Sequence, residues 1–183
     1  MTIKILPDVD VLRQLFLYVP DTGDLIWRAR TVEQCADQRS CNTFNSQFSN
    51  KKAGAKRKNE GNYYYEIQIS PYGRFGAHRI IWKMHYGVEP PPIIDHIDGD
   101  GLNNRIDNLR EATIHQNGWN AKRNARNKSG FKGVSFNTEK NKWRAAIHVH
   151  GKTKLIGYFS TPEAAGEAYK KEAAILHGDF IRI

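Results

Sequence analysis

No stretch of about 18 consecutive apolar residues, the length a helix needs to cross a bilayer, occurs in this sequence, so no membrane span is expected. The first residues, Met-Thr-Ile-Lys-Ile-Leu-Pro-Asp, lack the charged, apolar and small-residue succession of a signal peptide. Cysteine is scarce, with only Cys35 and Cys41. Without a matching Cys/His pair they make no zinc knuckle, and a chain of this size does not need a disulfide. They are expected as free thiols in a reducing cytoplasm, although a disulfide is chemically open to them. Acids are few beside bases: 19 Asp and Glu against 28 Lys and Arg give a net charge of +9 and a pI of about 9.6. Such a balance points to a polyanionic partner, a nucleic acid or an acidic membrane surface.

What is present is enough for one large domain or two small ones. The chain has 183 residues, 39% of them hydrophobic, with a mean hydropathy of −0.66. Val11, Leu12, Leu15 and Phe16 have helical spacing over residues 8–18, capped by Asp8 or Asp10. Turn chemistry at Pro20–Asp24 leads to a short strand, Leu25-Ile26-Trp27. From Thr31 to Asn62 the chain is polar and reads as a loop. Its basic cluster of Lys51, Lys52, Lys56, Arg57 and Lys58 suits either a solvated surface or an arm along phosphates. Tyr63–Ile69 alternates as a strand, Pro71-Tyr72-Gly73 turns, and Arg74–Ile81 continues as a strand or a strand into a helix. His78, beside Ile80, Ile81 and Trp82, reads as a packed core histidine.

The chemistry is concentrated between Asp95 and Asn117. Cleaving a phosphodiester requires a metal to stabilise charge, a base to activate water, and a scaffold to hold both. On Ile93–Ile97 side chains alternate faces, so Asp95 is assigned to the metal and His96 to the scissile phosphate. A neutral imidazole with a pKa near 6.5 is a suitable base. Asn117, early in a helix expected from about Thr113 to Arg123, offers a second oxygen ligand. His115 is its rival, about 200° away around the helix. One carboxylate and one amide oxygen, completed by water and phosphate, suit magnesium or manganese better than zinc. Asn108, just before the strand Leu109–Thr113, can bond the loop backbone and orient His96. Asp98 and Asp100 lack the spacing of a calcium loop and read as loop formers. Arg105 suits either a phosphate contact or loop stabilisation.

The residues Asp95-His96-Ile97-Asp98-Gly99, Asn103-Asn104-Arg105, Asn108-Leu109-Arg110, Thr113 and Asn117 resemble the HNH endonuclease motif of phage and intron-type homing nucleases. That resemblance implies a ββα-metal fold, metal binding by Asp95 and Asn117, His96 as general base, and Asn108 as the structure-holding asparagine. The last position departs from the usual histidine, as in some phage-type members. Tyr18-x-Pro-x-x-Gly-x-Leu-x-Trp and Ala77-His78-Arg79-x-x-Trp82 resemble the N-terminal part of phage HNH nucleases, without a catalytic role.

A basic, Asn-rich stretch after Asn117 reads as a linker. Strands are expected at Phe131–Phe136, Lys142–His150 and Lys154–Phe159. A helix then begins with Thr161 as N-cap and Pro162 at its first position, and ends at Gly178. Its expected stripe is Ala164, Ala165, Ala168, Tyr169, Glu172, Ile175 and Leu176. Trp143, Ala145, Ile147 and Val149 should pack on that helix, leaving Arg144, Ala146, His148 and His150 on the other face. Between Lys122 and Lys154 ten basic residues face one acid, Glu139. Phe131-Lys132-Gly133-Val134, Trp143–Ile147, Ile156-Gly157-Tyr158-Phe159 and Thr161-x-Glu163-Ala164-Ala165 resemble the AP2 DNA-binding domain, whose sheet lies in the major groove.

The expected class is therefore α+β. Residues 1–126 form an HNH nuclease domain (motif core 90–123) with an N-terminal helix and β-hairpin region. Residues 127–183 form a three-stranded antiparallel sheet plus helix, AP2-like. The expected partner is double-stranded DNA, contacted by Arg105, Lys122, Arg123, Arg126, Lys128, Lys132, Arg144, His148, Lys152 and Lys154. A monomer or weak dimer is expected in the cytoplasm, that of a host cell if the chain is phage-encoded. The alternatives are a non-catalytic AP2-type DNA-binding protein with a decayed nuclease, and a nuclease acting on RNA.

Overall fold

The computed structural model describes residues 5–59, 61–121, 127–149 and 151–181. The chain divides into two compact units, Met1–Glu111 and Ala112–Ile183. The linker expected at residues 122–126 lies outside the described residues.

In the first unit α1 (Val9–Leu15) runs straight into β1 (Phe16–Val19), so the apolar spacing through Phe16 is shared by a helix and a strand. β1 pairs antiparallel with β2 (Asp24–Trp27). The segment expected as a loop contains α2 (Gln38–Phe48) instead, its N-terminus capped by Asp37 accepting from the Ser40 amide at 2.6 Å. The signal was present: Cys41, Phe44 and Phe48 follow the spacing of one helical face. Phe44 meets Trp27 edge-on at 5.4 Å. β3 (Ala55–Asn59), β4 (Asn62–Ile69) and β5 (Gly73–Gly76) form an antiparallel sheet in that order. α3 (Ala77–Tyr86) follows directly and ends at Gly87, whose φ of 72° is left-handed. Leu12, Phe16, Leu25, Ile67, Ile69, Ile80 and Ile81 form one buried core. Each such side chain contributes about 1.5–3 kcal/mol on burial. β6 (Ile94–His96) and β7 (Leu109–Glu111) make a short antiparallel pair, and Ile94 and Leu109 join that core.

The second unit begins with α4 (Ile114–Asn120), held by a capping box between Thr113 and Gln116. β8 (Val134–Asn137), β9 (Lys142–Val149) and β10 (Lys152–Phe159) form a sheet with β9 central. α5 (Pro162–His177) starts at the expected Thr161 cap. Trp143, Ala145, Ile147 and Val149 pack with this helix as expected. The helix stripe differs: Ala165, Gly166, Tyr169, Ala173 and His177 are buried, whereas Ala164 is exposed and Ile175 is 77% exposed. Glu172 escapes a burial penalty by pairing with Lys154 at 2.6 Å. Among the described residues no helix is long and apolar enough to cross a membrane.

Candidate active site

β6 is buried at all three positions, and its register decides what each side chain meets. Asp95 lies opposite Arg110 on β7, and His96 opposite Leu109. Cross-strand neighbours share a face, so Arg110 reaches Asp95 with two nitrogens, Nε at 2.8 Å and Nη2 at 2.7 Å, both to Oδ2. This ion pair, with Nε as its hydrogen-bond donor, orients a carboxylate that is only 3% exposed. Sequence reasoning gave Arg110 no role, because its importance depends on strand register.

His96 points the other way. Its Nε2 lies 3.0 Å from Oδ1 of Asn104, which is buried and can only accept there. The ring therefore donates from Nε2, and in the neutral tautomer the lone pair lies on Nδ1. Burial pushes the His96 pKa below the ordinary imidazole value, against the opposing pull of the Asn104 bond and of Asp98, Asp95 and Asp100. The ring is thus neutral at cellular pH. His78 flanks it, ring to ring at 5.3 Å, and Tyr64 lies 5.9 Å from His96 and 6.0 Å from His78. Burial, then His96 and Arg79, push the His78 pKa down to about 3. Gly76 permits this arrangement, since a Cβ there would come within 2.5 Å of the His78 ring.

The loop between the strands is fastened by its own side chains. Asn108 accepts from the Asp98 amide at 3.0 Å, and donates to Asp98 Oδ1 at 3.0 Å and to the Asn103 carbonyl at 2.8 Å. Asp98 also accepts from the Asp100 amide and from Asn103. Burial raises the Asp98 pKa, but these donors outweigh it and hold the carboxyl below its usual range. Tyr18 ties the loop to β1: its hydroxyl accepts from the Ile106 amide at 2.9 Å and donates to the Asn104 carbonyl at 3.4 Å. Gly101 fits because a Cβ would strike the Tyr63 carbonyl and the Tyr64 ring at 2.5 Å.

Asp95, His96, Asn104 and Asn108 are thus assembled on one β-loop-β element. Asn117 lies exposed on α4 in the second unit, as does His115. Among the described residues no group of three or more His, Cys, Asp or Glu is arranged to hold a metal. Within the first unit the buried Asp95 carboxylate offers an oxygen donor of the kind a hard divalent ion takes.

The expected DNA contacts differ in availability. Arg105 is engaged with Asp107 at 3.0 Å and with the Asp21 carbonyl at 3.2 Å. Lys132 Nζ donates to the carbonyls of Trp119 and, at 2.9 Å, Ala121. Lys154 pairs with Glu172. Lys128, Lys152 and His148 are exposed and Arg144 is half-buried. Lys122, Arg123 and Arg126, and His150 on the same expected sheet face, lie outside the described residues.

A family model described as HNH endonuclease matches residues 75–119. Protein 3.8 of Escherichia phage T7 is 37% identical over 106 residues, covering 57% of this chain and 87% of that protein. An uncharacterized HNH endonuclease, L560, of Acanthamoeba polyphaga mimivirus is 36% identical over 110 residues, covering 59% of this chain and 56% of that protein. No solved structure matches. The matched segment runs from the sheet edge before His78 to the helix bearing Asn117, taking in the Asp95–Asn108 loop, so the chain contains an HNH endonuclease domain.

Proposed function

We propose that the protein is a metal-dependent DNA endonuclease in which His96 is the general base. The observation that supports this most directly is the buried His96 ring, fixed through Nε2 by Asn104 and neutral at cellular pH. A neutral Nδ1 takes a proton from water as that water attacks phosphorus, and the P–O bond to the leaving oxygen breaks. Asp95 and Asn117 would hold a divalent ion, Mg2+ or Mn2+ rather than Zn2+. When bound, that ion stabilises charge on the phosphate and the leaving oxygen. Arg110 orients Asp95, and Asn108 keeps the loop in shape.

The second unit, read as AP2-like, anchors the DNA through Arg144, His148, Lys128 and Lys152. Lys122, Arg123 and Arg126, basic residues just before that sheet in the sequence, would add to this anchoring. One site cuts one strand at a time, which fits a nicking monomer or a weak dimer cutting both strands. The viral sources of both relatives support action in a host cytoplasm.

Incubation with plasmid DNA and Mg2+ or Mn2+ tests the reading. The wild type should nick or linearise the plasmid, and His96→Ala should lose about 10²–10⁴-fold in rate. A wild type that shifts DNA in a gel but cuts nothing with any divalent ion would make it a binding protein with a decayed nuclease.

A further inference from the structure

Next to the His96 ring the first unit has a cleft of about 320 Å³. Arg57 and Asn59 of β3, Tyr64 of β4, and His78 and Arg79 in the first turn of α3 line its walls, and Pro92–Ile94 lead from it into Asp95 and His96. His78 and Tyr64 both line the cleft and meet the His96 ring, so two aromatic side chains separate it from the base.

Its electrostatics favour an anion. β3 is exposed at every position and carries Lys56, Arg57 and Lys58 in succession. Lys56 lies over the Tyr63 ring at 4.4 Å. The Arg57 guanidinium, by contrast, has no hydrogen-bond or ion-pair partner among the described residues, although the residue borders the cleft. Arg79 adds positive charge, with its guanidinium fixed by the carbonyls of Pro90, Pro91 and Pro92. Glu66 is the acid among the lining residues, and Arg74 faces it at 4.0 Å. The N-terminus of α3 has no side-chain cap, so its dipole adds to this positive field. An edge strand so heavily charged is poorly suited to pairing with a peptide strand. It suits a backbone of phosphates, for which Arg offers planar, two-nitrogen recognition.

We infer that this cleft seats the DNA backbone beside the scissile bond, with Arg57 contacting a neighbouring phosphate. The inference rests on the nuclease reading and adds a substrate-positioning site outside the Asp95–Asn117 motif. Since that phosphate does not react, its contact should act on binding more than on chemistry.

The test uses the full chain and a duplex containing its mapped cut site, with single phosphates near that site replaced one at a time by uncharged methylphosphonates. Arg57→Ala should raise KM about tenfold with little change in kcat. The wild type should show a matching loss when one particular phosphate is neutralised. On that substrate Arg57→Ala should add no further penalty. An Arg57→Ala variant with unchanged KM, or with its full penalty on every modified substrate, overturns the inference. Failure of the nuclease reading looks different: the wild type does not cut the unmodified duplex. Equilibrium binding then decides, since Arg57→Ala should reduce the dependence of log K on log salt by about one ion, and an unchanged slope overturns the cleft as a phosphate seat.

Discussion

The imidazole rings of His78 and His96 lie 5.3 Å apart and 73° from parallel. Two charged imidazoles this close and this poorly solvated would repel each other, so protonating either one disfavours protonating the other. Burial, His96 and Arg79 together bring the His78 pKa to about 3, far below the ordinary value of about 6.5.

That shift carries a sign. In the unfolded chain His78 takes up a proton as pH falls through about 6.5, while the folded chain resists until about 3. The unfolded state binds more protons between these values, so stability falls with pH across that window and is undiminished above it. The loss accumulates across that window and amounts to a few kcal/mol at its acid end. Urea unfolding of wild type and His78→Gln at several pH values measures it. The variant should flatten the slope between pH 6.5 and 4, and an unchanged slope would place the acid sensitivity elsewhere.

Asn104 tests the base through its partner. Asn104→Asp would put a carboxylate 3.0 Å from His96 Nε2, stabilising the imidazolium and raising its pKa. The acid limb of kcat/KM, whose wild-type midpoint should lie below about 6.5, should then move to higher pH. Asn104→Ala leaves the ring without this acceptor and should cost about 10–100-fold in rate, the usual penalty for removing an orienting partner. A pH profile that does not move with Asn104→Asp would argue that another group titrates.

Arg110 should matter first for stability. Removing it takes an ion pair and the Nε hydrogen bond from a carboxylate that is 3% exposed. Arg110→Ala should cost about 3 kcal/mol, read as a lower Tm or urea midpoint. Arg110→Lys keeps the charge but cannot reproduce the placement of the planar guanidinium, so it should fall between the two. Equal stability of all three proteins would show that the Asp95 carboxylate is held by other groups.

How much of this was legible in the sequence depends on range. The Asp95–Asn108 loop declared itself because its bonds are local: Asp98, Asn103 and Asn108 satisfy one another within ten residues. The second sheet and its helix were legible for the same reason, from alternation on β9 and the Thr161-Pro162 start. α2 was easy to miss because its apolar signal is sparse: Cys41, Phe44 and Phe48 share a face, but Cys41 is its one buried side chain. Arg110, His78 and Tyr18 were hidden by distance. Each acquires meaning only when strand register or folding brings it to a partner, 88 residues away in the case of Tyr18 and Ile106. Lys132 and Lys154 were expected to contact DNA, because composition records a charge but not its intramolecular partner.

The helix bearing Asn117 yields the last prediction. α4 has only seven residues, Ile-His-Gln-Asn-Gly-Trp-Asn, including a glycine and no strong run of helix formers. A helix this short does not persist alone in water. Its support comes from the second unit: Trp119 stacks on His177 at 4.2 Å and 9°, and Lys132 satisfies the carbonyls of Trp119 and Ala121 at its C-terminal end. Both partners lie beyond residue 126. A chain ended there keeps the whole core around Leu12, Phe16 and Ile80, yet loses what holds α4. If Asn117 is a metal ligand, that truncation should fold in its first unit but lose cleavage, and not merely its targeting. His177→Ala in the full chain should weaken cleavage in the same direction without removing any basic side chain from the sheet. Amide protection over residues 114–120 should fall in both. Robust metal-dependent cutting by the folded truncation would show that the catalytic unit does not need this helix.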